Sequence, residues 1–169
     1  LFAVGDGNHS LAAAKEIYEP DKARTPQAEW AGLPSRWALA EIVSLYDPGV
    51  EFLPIHRIVF GVDAGQLLAA FRSYYPAAYE GEGEGHVLRW CCKDRSGALT
   101  VPQPEKDLAV ETLQAFLDDY VAAHGGAVDY IHDMAAVEEM SRQTRCIGFL
   151  LPEFPRDALF PYVREHGAL

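Results

Sequence analysis

The hydrophobic pattern of this chain changes its period repeatedly, and that change most limits the folds open to it. In the second half, "VDYI" (Val128–Ile131) reads as a strand and Met134–Gln143 repeats at helical spacing. "CIGFLL" (Cys146–Leu151) is strand-like again, and Arg156–His166 is helical. A period of two sends alternate residues to opposite faces of a sheet, while spacings of three and four gather them on one side of a helix. Elsewhere strand-length runs come in pairs around turn signals. "WALAEIVSLY", within Arg36–Tyr46, ends at Asp47-Pro48-Gly49 and is followed by a second run, Phe52–Val62. Val87–Lys93 and Ala98–Val101 flank Asp94-Arg95-Ser96-Gly97. Such pairs predict antiparallel hairpins, whereas alternation with helices predicts crossovers. Together they predict an α+β fold, a mixed and partly antiparallel sheet with helices packed on it, with an irregular α/β domain as the alternative.

The remaining segments fill in that frame. Leu1–Gly5 reads as a short buried strand, and Asn8 to about Tyr18 as a helix with Leu11, Ala14 and Tyr18 on one face. Asp6 or Asn8 is expected to cap it. Glu19–Ser35, rich in Pro, Ala and charge, reads as a long loop. Asp63 and Gln66 form a capping-box pattern that opens a helix carrying Leu67, Leu68, Phe71 and Tyr75, stopped by Pro76. Asp107–His124 is the longest helical stripe, with Val110, Leu113, Leu117 and Val121 in line before Gly125-Gly126. Pro155 and Gly167 sit where a first-turn proline and a terminal glycine belong.

A chain of 169 residues with 49% hydrophobic residues has room for one α+β domain spanning residues 1–169. Its opening in mid-strand, without methionine, reads as the C-terminal fragment of a longer chain. No apolar run approaches the roughly 20 residues of a membrane-spanning helix, so no membrane partner is expected. With 14 Lys+Arg against 25 Asp+Glu, the net charge of −11 disfavours extended nucleic-acid binding. A small anion can still bind where a few N–H groups and cations converge. Cys91, Cys92 and Cys146 show neither a disulfide framework nor CxxC spacing, which suits a reducing cytoplasm and predicts no structural metal.

The segment with the clearest chemical meaning is Gly5-Asp6-Gly7-Asn8-His9-Ser10. Two glycines one residue apart let the backbone take positive φ and approach a ligand. The helix that follows supplies unpaired N–H groups and the positive end of its dipole. That is an anion cradle, with His9 and Ser10 adding side-chain donors. Asp6 would repel a bare phosphate and suits a general base, a magnesium ligand or a cap. Without a ligand, the same pattern is an N-capped joint between strand and helix. The second cluster is Pro54-Ile55-His56-Arg57, where neighbouring strand positions send His56 and Arg57 to opposite faces. Glu41, flanked by apolar residues, is expected to face water. Asp129 and His132 repeat the D-x-x-H spacing of Asp6 and His9.

Three stretches, "FAVGDGNHSLAAAKEIYE", "SRWALAEIVSLYDPGVEFLPIHRIVF" and "VDYIHD…IGFLLPEF", together resemble the bacterial family known as domain of unknown function 1015. The resemblance follows the same order through nearly the whole chain. Many members carry D-G-H-H-R where this chain has Asn8 and Ser10, and a subset has the DGNHS form. Leu53 stands where related sequences often have Glu. The D-G-H-H-R loop is similar to one in the ParB/sulfiredoxin superfamily, which includes nucleotide-binding enzymes and free-serine kinases. That likeness implies phosphoryl chemistry.

The leading expectation is an enzyme that binds a nucleotide or phosphorylated metabolite, with magnesium accompanying the nucleotide. Asp6, His9 and His56 are its expected catalytic residues; Gly5, Gly7, Asn8, Ser10 and Arg57 would bind phosphate. The alternatives are a non-catalytic ligand-binding or regulatory module and a metal-assisted hydrolase built on Asp6, His9 and His56. Both histidines are expected on one side of the sheet.

Overall fold

The computed structural model describes residues 2–5 and 7–167. The chain divides into two compact units, one formed by residues 1–51 and 156–169 and the other by residues 52–155. The fold is α+β, as the alternating periods predict.

The second unit holds a six-stranded sheet: β1 (His56–Phe60), β2 (Tyr79–Glu80), β3 (His86–Cys92), β4 (Arg95–Val101), β5 (Ala127–Ile131) and β6 (Cys146–Leu150). Its order is β2-β4-β3-β6-β1-β5, and every pairing is antiparallel. Three helices connect the strands: α2 (Ala64–Tyr74), α3 (Ala109–His124) and α4 (Met134–Ser141). The start of α2 follows directly from local sequence, because Asp63 Oδ1 accepts the Gln66 N–H at 2.8 Å. Asp133 does the same for α4 through Ala135.

Alternation along the strands sorts side chains between two layers. Val59, Leu88, Trp90, Cys92, Leu99, Ile147 and Phe149 meet Leu67 and Phe71 of α2 and Leu113, Phe116 and Leu117 of α3. Each such side chain contributes about 1.5–3 kcal/mol by leaving water. On the opposite face α4 packs where Gly148 leaves room: a Cβ there would meet Val137 Cγ1 at 2.5 Å and Cys91 Sγ at 3.0 Å. Cys91 and Cys92 therefore face different layers, and all three cysteines are free.

The strand expected over Phe52–Val62 shortens to His56–Phe60, and it makes no hairpin with Arg36–Tyr46. Its partners are β5 and β6, roughly 70 to 90 positions away in the chain. The β3–β4 hairpin forms, but turns at Lys93-Asp94 rather than over 94–97, with Lys93 at φ 51°. Gly97 belongs to β4 and lies beneath the Trp90 ring, where a Cβ would come within 2.7 Å of Cζ2.

The first unit contains α1 (Asn8–Arg24), short 3-10 turns at Gln27–Gly32, Pro34–Arg36 and Arg156–Ala158, and α5 (Leu159–His166). The expected loop over Glu19–Ser35 is thus largely helical. Pro20 removes one N–H from α1 without ending it. Trp30 is the reason the end is stable: its Nε1–H donates to Lys22 O at 3.2 Å and Thr25 O at 3.0 Å, carbonyls near the helix terminus. Lys22 Nζ stands 5.0 Å from the same indole ring. No strand forms in residues 2–5 or 36–46, because no neighbouring strand in the described residues supplies a ladder. The turn at Asp47-Pro48-Gly49 survives, with Asp47 Oδ1 accepting the Gly49 N–H at 2.8 Å. Tyr46 OH donates to Asp157 at 2.6 Å, tying the two segments of this unit together.

Candidate functional site

The Gly5–Ser10 loop does end at a helix N-terminus, as its composition predicts. The cap is Gly7, however, rather than Asp6 or Asn8. Gly7 adopts φ 90°, ψ 14°, a left-handed conformation that a residue with a Cβ reaches only at a cost. Asn8, His9 and Ser10 form the first helical turn, where backbone N–H groups have no intrahelical partner. The Leu11 N–H begins the ladder, donating to Gly7 O at 2.9 Å. Gly5, Asn8, His9 and Ser10 are all exposed, and no acidic side chain occupies the first turn. Asp6 lies outside the described residues. Seventeen residues of aligned peptide dipole stand behind these N–H groups.

His56 and Arg57 open β1 in the second unit and behave very differently. His56 is only 4% exposed, and its Nδ1 accepts the backbone N–H of Leu151 at 3.0 Å. The β1–β6 ladder ends at Arg57–Phe149, so the imidazole takes up the next N–H beyond it. An imidazole whose Nδ1 accepts carries its proton on Nε2 when neutral, which makes Nε2–H a donor. Burial, and then the neighbouring Arg57 charge, holds the His56 pKa below its ordinary value. Asp133 acts in the opposite direction and His132 in the same one, so the β5–α4 connection also faces this ring.

Arg57 points the other way, toward α3 and β5. Its Nε donates to Gln114 Oε1 at 2.7 Å and its NH1 to the Ile55 and His56 carbonyls. The guanidinium lies 4.4 Å from the centroid of Tyr130, its register partner on β5. Burial lowers its pKa. These contacts make Arg57 a brace between strand and helix, and they leave His56 as the more adaptable donor of the pair. Glu41 is exposed, as expected. Among the described residues no three His, Cys, Asp or Glu side chains gather into a metal-ligand set.

The family model described as "Protein of unknown function (DUF1015)" matches residues 1–120. The chain belongs to the DUF1015 family. No curated protein and no solved structure matches it. The matched span of this DUF1015 chain takes in both the DGNHS loop and the His56-Arg57 pair, one in each unit. None of the described helices of the DUF1015 chain is long and apolar enough to cross a membrane. The sequence reading missed the Leu151 N–H as the partner of His56 and missed Asp133 beside it. Asp133 does carry a legible signal as the residue before a helical run, but nothing local links it to position 56.

Proposed function

We propose that this DUF1015 protein binds a nucleotide or a phosphorylated small molecule at the Gly5–Ser10 loop and transfers its phosphoryl group to a small acceptor. The observation that supports this most is the left-handed Gly7 cap, which presents the exposed first-turn N–H groups of a 17-residue helix. Backbone donors and a helix dipole attract phosphate oxygens without the desolvation cost of a buried cation. In this reading His9 and Ser10 add donors, and Gly5 and Asn8 complete the cradle. Asp6 serves as base or as a ligand to the magnesium that enters with a nucleotide. Phosphoryl transfer asks a protein mainly for positioning and charge neutralisation, which such a donor set supplies. The resemblance of the family's D-G-H-H-R loop, at whose position this chain has Asp6-Gly7-Asn8-His9-Ser10, to one in the ParB/sulfiredoxin superfamily favours the same chemistry.

Thermal scans of the intact chain with ATP, ADP, inorganic phosphate or a phosphorylated hydroxy acid, with and without magnesium, test this directly. A ligand at 100 times its Kd adds about 2.7 kcal/mol to native stability, a shift visible in such a scan. Gly7→Val should remove the shift, and His9→Ala should reduce it with little change in unliganded Tm. Asp6→Asn should retain the shift and lose turnover. If a shift occurs without turnover under any condition, the protein is a binding module. If no ligand in the series shifts Tm, the phosphate site is wrong.

A further inference from the structure

Among the described residues Arg57 is the only Lys or Arg that is buried, with 7% of its surface exposed. Ion pairs form instead at exposed side chains, among them Arg72–Glu80 and Arg89–Glu82. No carboxylate of the described residues comes within ion-pair distance of Arg57. A buried charge is ordinarily paired, because neutral acceptors return only part of what it loses on leaving water. The guanidinium of Arg57 is therefore the least compensated charge of the second unit.

Its neutral partners fix its position and leave one nitrogen over. Nε donates to Gln114 Oε1, and Nη1 donates to the Ile55 and His56 carbonyls. Gln114 is itself held, because its Nε2 donates to Asp118 Oδ1 at 2.7 Å one turn further along α3. Register partners on antiparallel strands share a face of the sheet, so the Tyr130 ring covers the guanidinium from the same side, 4.4 Å away. These contacts leave Nη2 without an acceptor among the described residues. Nη2 is not closed to water, since Ser35 Oγ is the one side-chain N or O of those residues that is both sealed and unpartnered. β5 ends the sheet, so no further strand covers Tyr130, which is 52% exposed.

From these observations we infer that Arg57 Nη2, beside the Tyr130 ring, is a binding site for the carboxylate of a small organic acid. The guanidinium keeps its charge at neutral pH. Three hydrogen bonds and the ring already fix its rotamer, so pairing costs little side-chain entropy, unlike pairing at an exposed arginine. Partial burial also strengthens its attraction for an anion relative to the open surface. A singly charged ligand suits the site best. Only one nitrogen is open, Asp118 acts on Arg57 from α3, and the net charge of −11 opposes a dianion. The exposed part of Tyr130 offers apolar surface to the body of the acid. The site lies wholly within residues 52–155 and does not rest on the phosphate loop.

Sodium benzoate titrated into the intact, isotopically labelled chain at constant ionic strength provides the test. Benzamide serves as the uncharged counterpart and inorganic phosphate as an anion of higher charge. Benzoate should move the Arg57 Nε–H, Gln114 and Tyr130 resonances saturably, and benzamide should bind about tenfold more weakly. Asp118→Asn removes a competing charge while its amide oxygen can still accept from Gln114, and should tighten benzoate about twofold. Tyr130→Ala should weaken it about threefold. Both positions are exposed, so neither change disturbs the buried arginine's own strand or the core. Equal binding of benzamide and benzoate, or tighter binding of phosphate at these residues, would overturn the assignment. So would a response confined to Gly5–Ser10, the absence of a saturable response, or benzoate binding that neither substitution alters.

Discussion

The two units use similar side chains to opposite effect. In residues 52–155, Phe71, Phe116, Phe149, Leu67, Leu88 and Ile147 are sealed from water between sheet and helices. In residues 1–51 and 156–167 no described residue is fully buried, although "WALAEIVSLY" is as apolar as any strand of the sheet. Trp37 is 70% exposed, and Leu39 and Ile42 are more so. Hydrophobic content alone therefore does not decide which segment enters a core. A run becomes a strand when a second run satisfies its N–H and C=O groups, and β1 finds two such partners where Trp37–Tyr46 finds none among the described residues. The helices differ in the same sense. α2 and α3 present apolar faces to the sheet, whereas α1 buries nothing and is held at its end by the Trp30 indole.

The largest effect expected from this contrast is at Phe149. Phe149→Ala should cost about 3–5 kcal/mol, since a fully buried ring leaves a cavity between sheet and helices. Urea unfolding of the intact chain measures it, and a loss below 1 kcal/mol would mean the core is not organised as described. Next comes Gly148→Ala, where the new methyl would press on Val137 and Cys91. It should cost about 1–3 kcal/mol and loosen α4 first, seen as faster amide exchange in Met134–Ser141. Unchanged exchange there would contradict close packing of α4 on β6.

A third expectation concerns pH. Burial lowers the pKa of His56 and of His86 below 6.5, so the unfolded chain binds more protons than the folded one just below that pH. Their contribution is fully present above about pH 6.5 and is lost as pH falls through the folded values. For His56 the physical event is direct, because a protonated Nδ1 cannot accept the Leu151 N–H. His56→Gln should flatten the fall in Tm between about pH 6.5 and pH 5, leaving the share of His86. An identical profile in both proteins would remove His56 from that account. The smallest effect should be at Trp37: Trp37→Ala is expected to stay within about 0.5 kcal/mol of the parent. A loss like that of Phe149→Ala would show that the first unit has a core after all.

Local signals carried much of this into the sequence. The Asp63 cap, the α3 stripe and the helix start at Asn8 each depend on residues a few positions apart, and each appears in the structure within a residue or two; the β3–β4 hairpin is equally local and forms, with its second strand starting three residues early. The opposite orientation of His56 and Arg57 is equally local, since it follows from the pleat. Gly7 as a left-handed cap was legible from the paired glycines, although the capping residue itself was assigned to its neighbours.

Tertiary structure alone decided which runs pair and what the polar residues touch. His56 meets Leu151 across 95 positions, Arg57 meets Gln114 across 57, and β1 lies between β5 and β6 rather than beside Trp37–Tyr46. No periodicity encodes those distances. The pattern of a strand states that it can pair and which face is apolar, but the choice of partner is made by competition among all strands for burial and ladder hydrogen bonds. The packing of Tyr74, Phe116 and Tyr120 has the same origin. Each ring belongs to a helix that the sequence announces, and only the packing of α2 against α3 sets Tyr74 edge-on to Phe116 and within hydrogen-bond reach of Asp119.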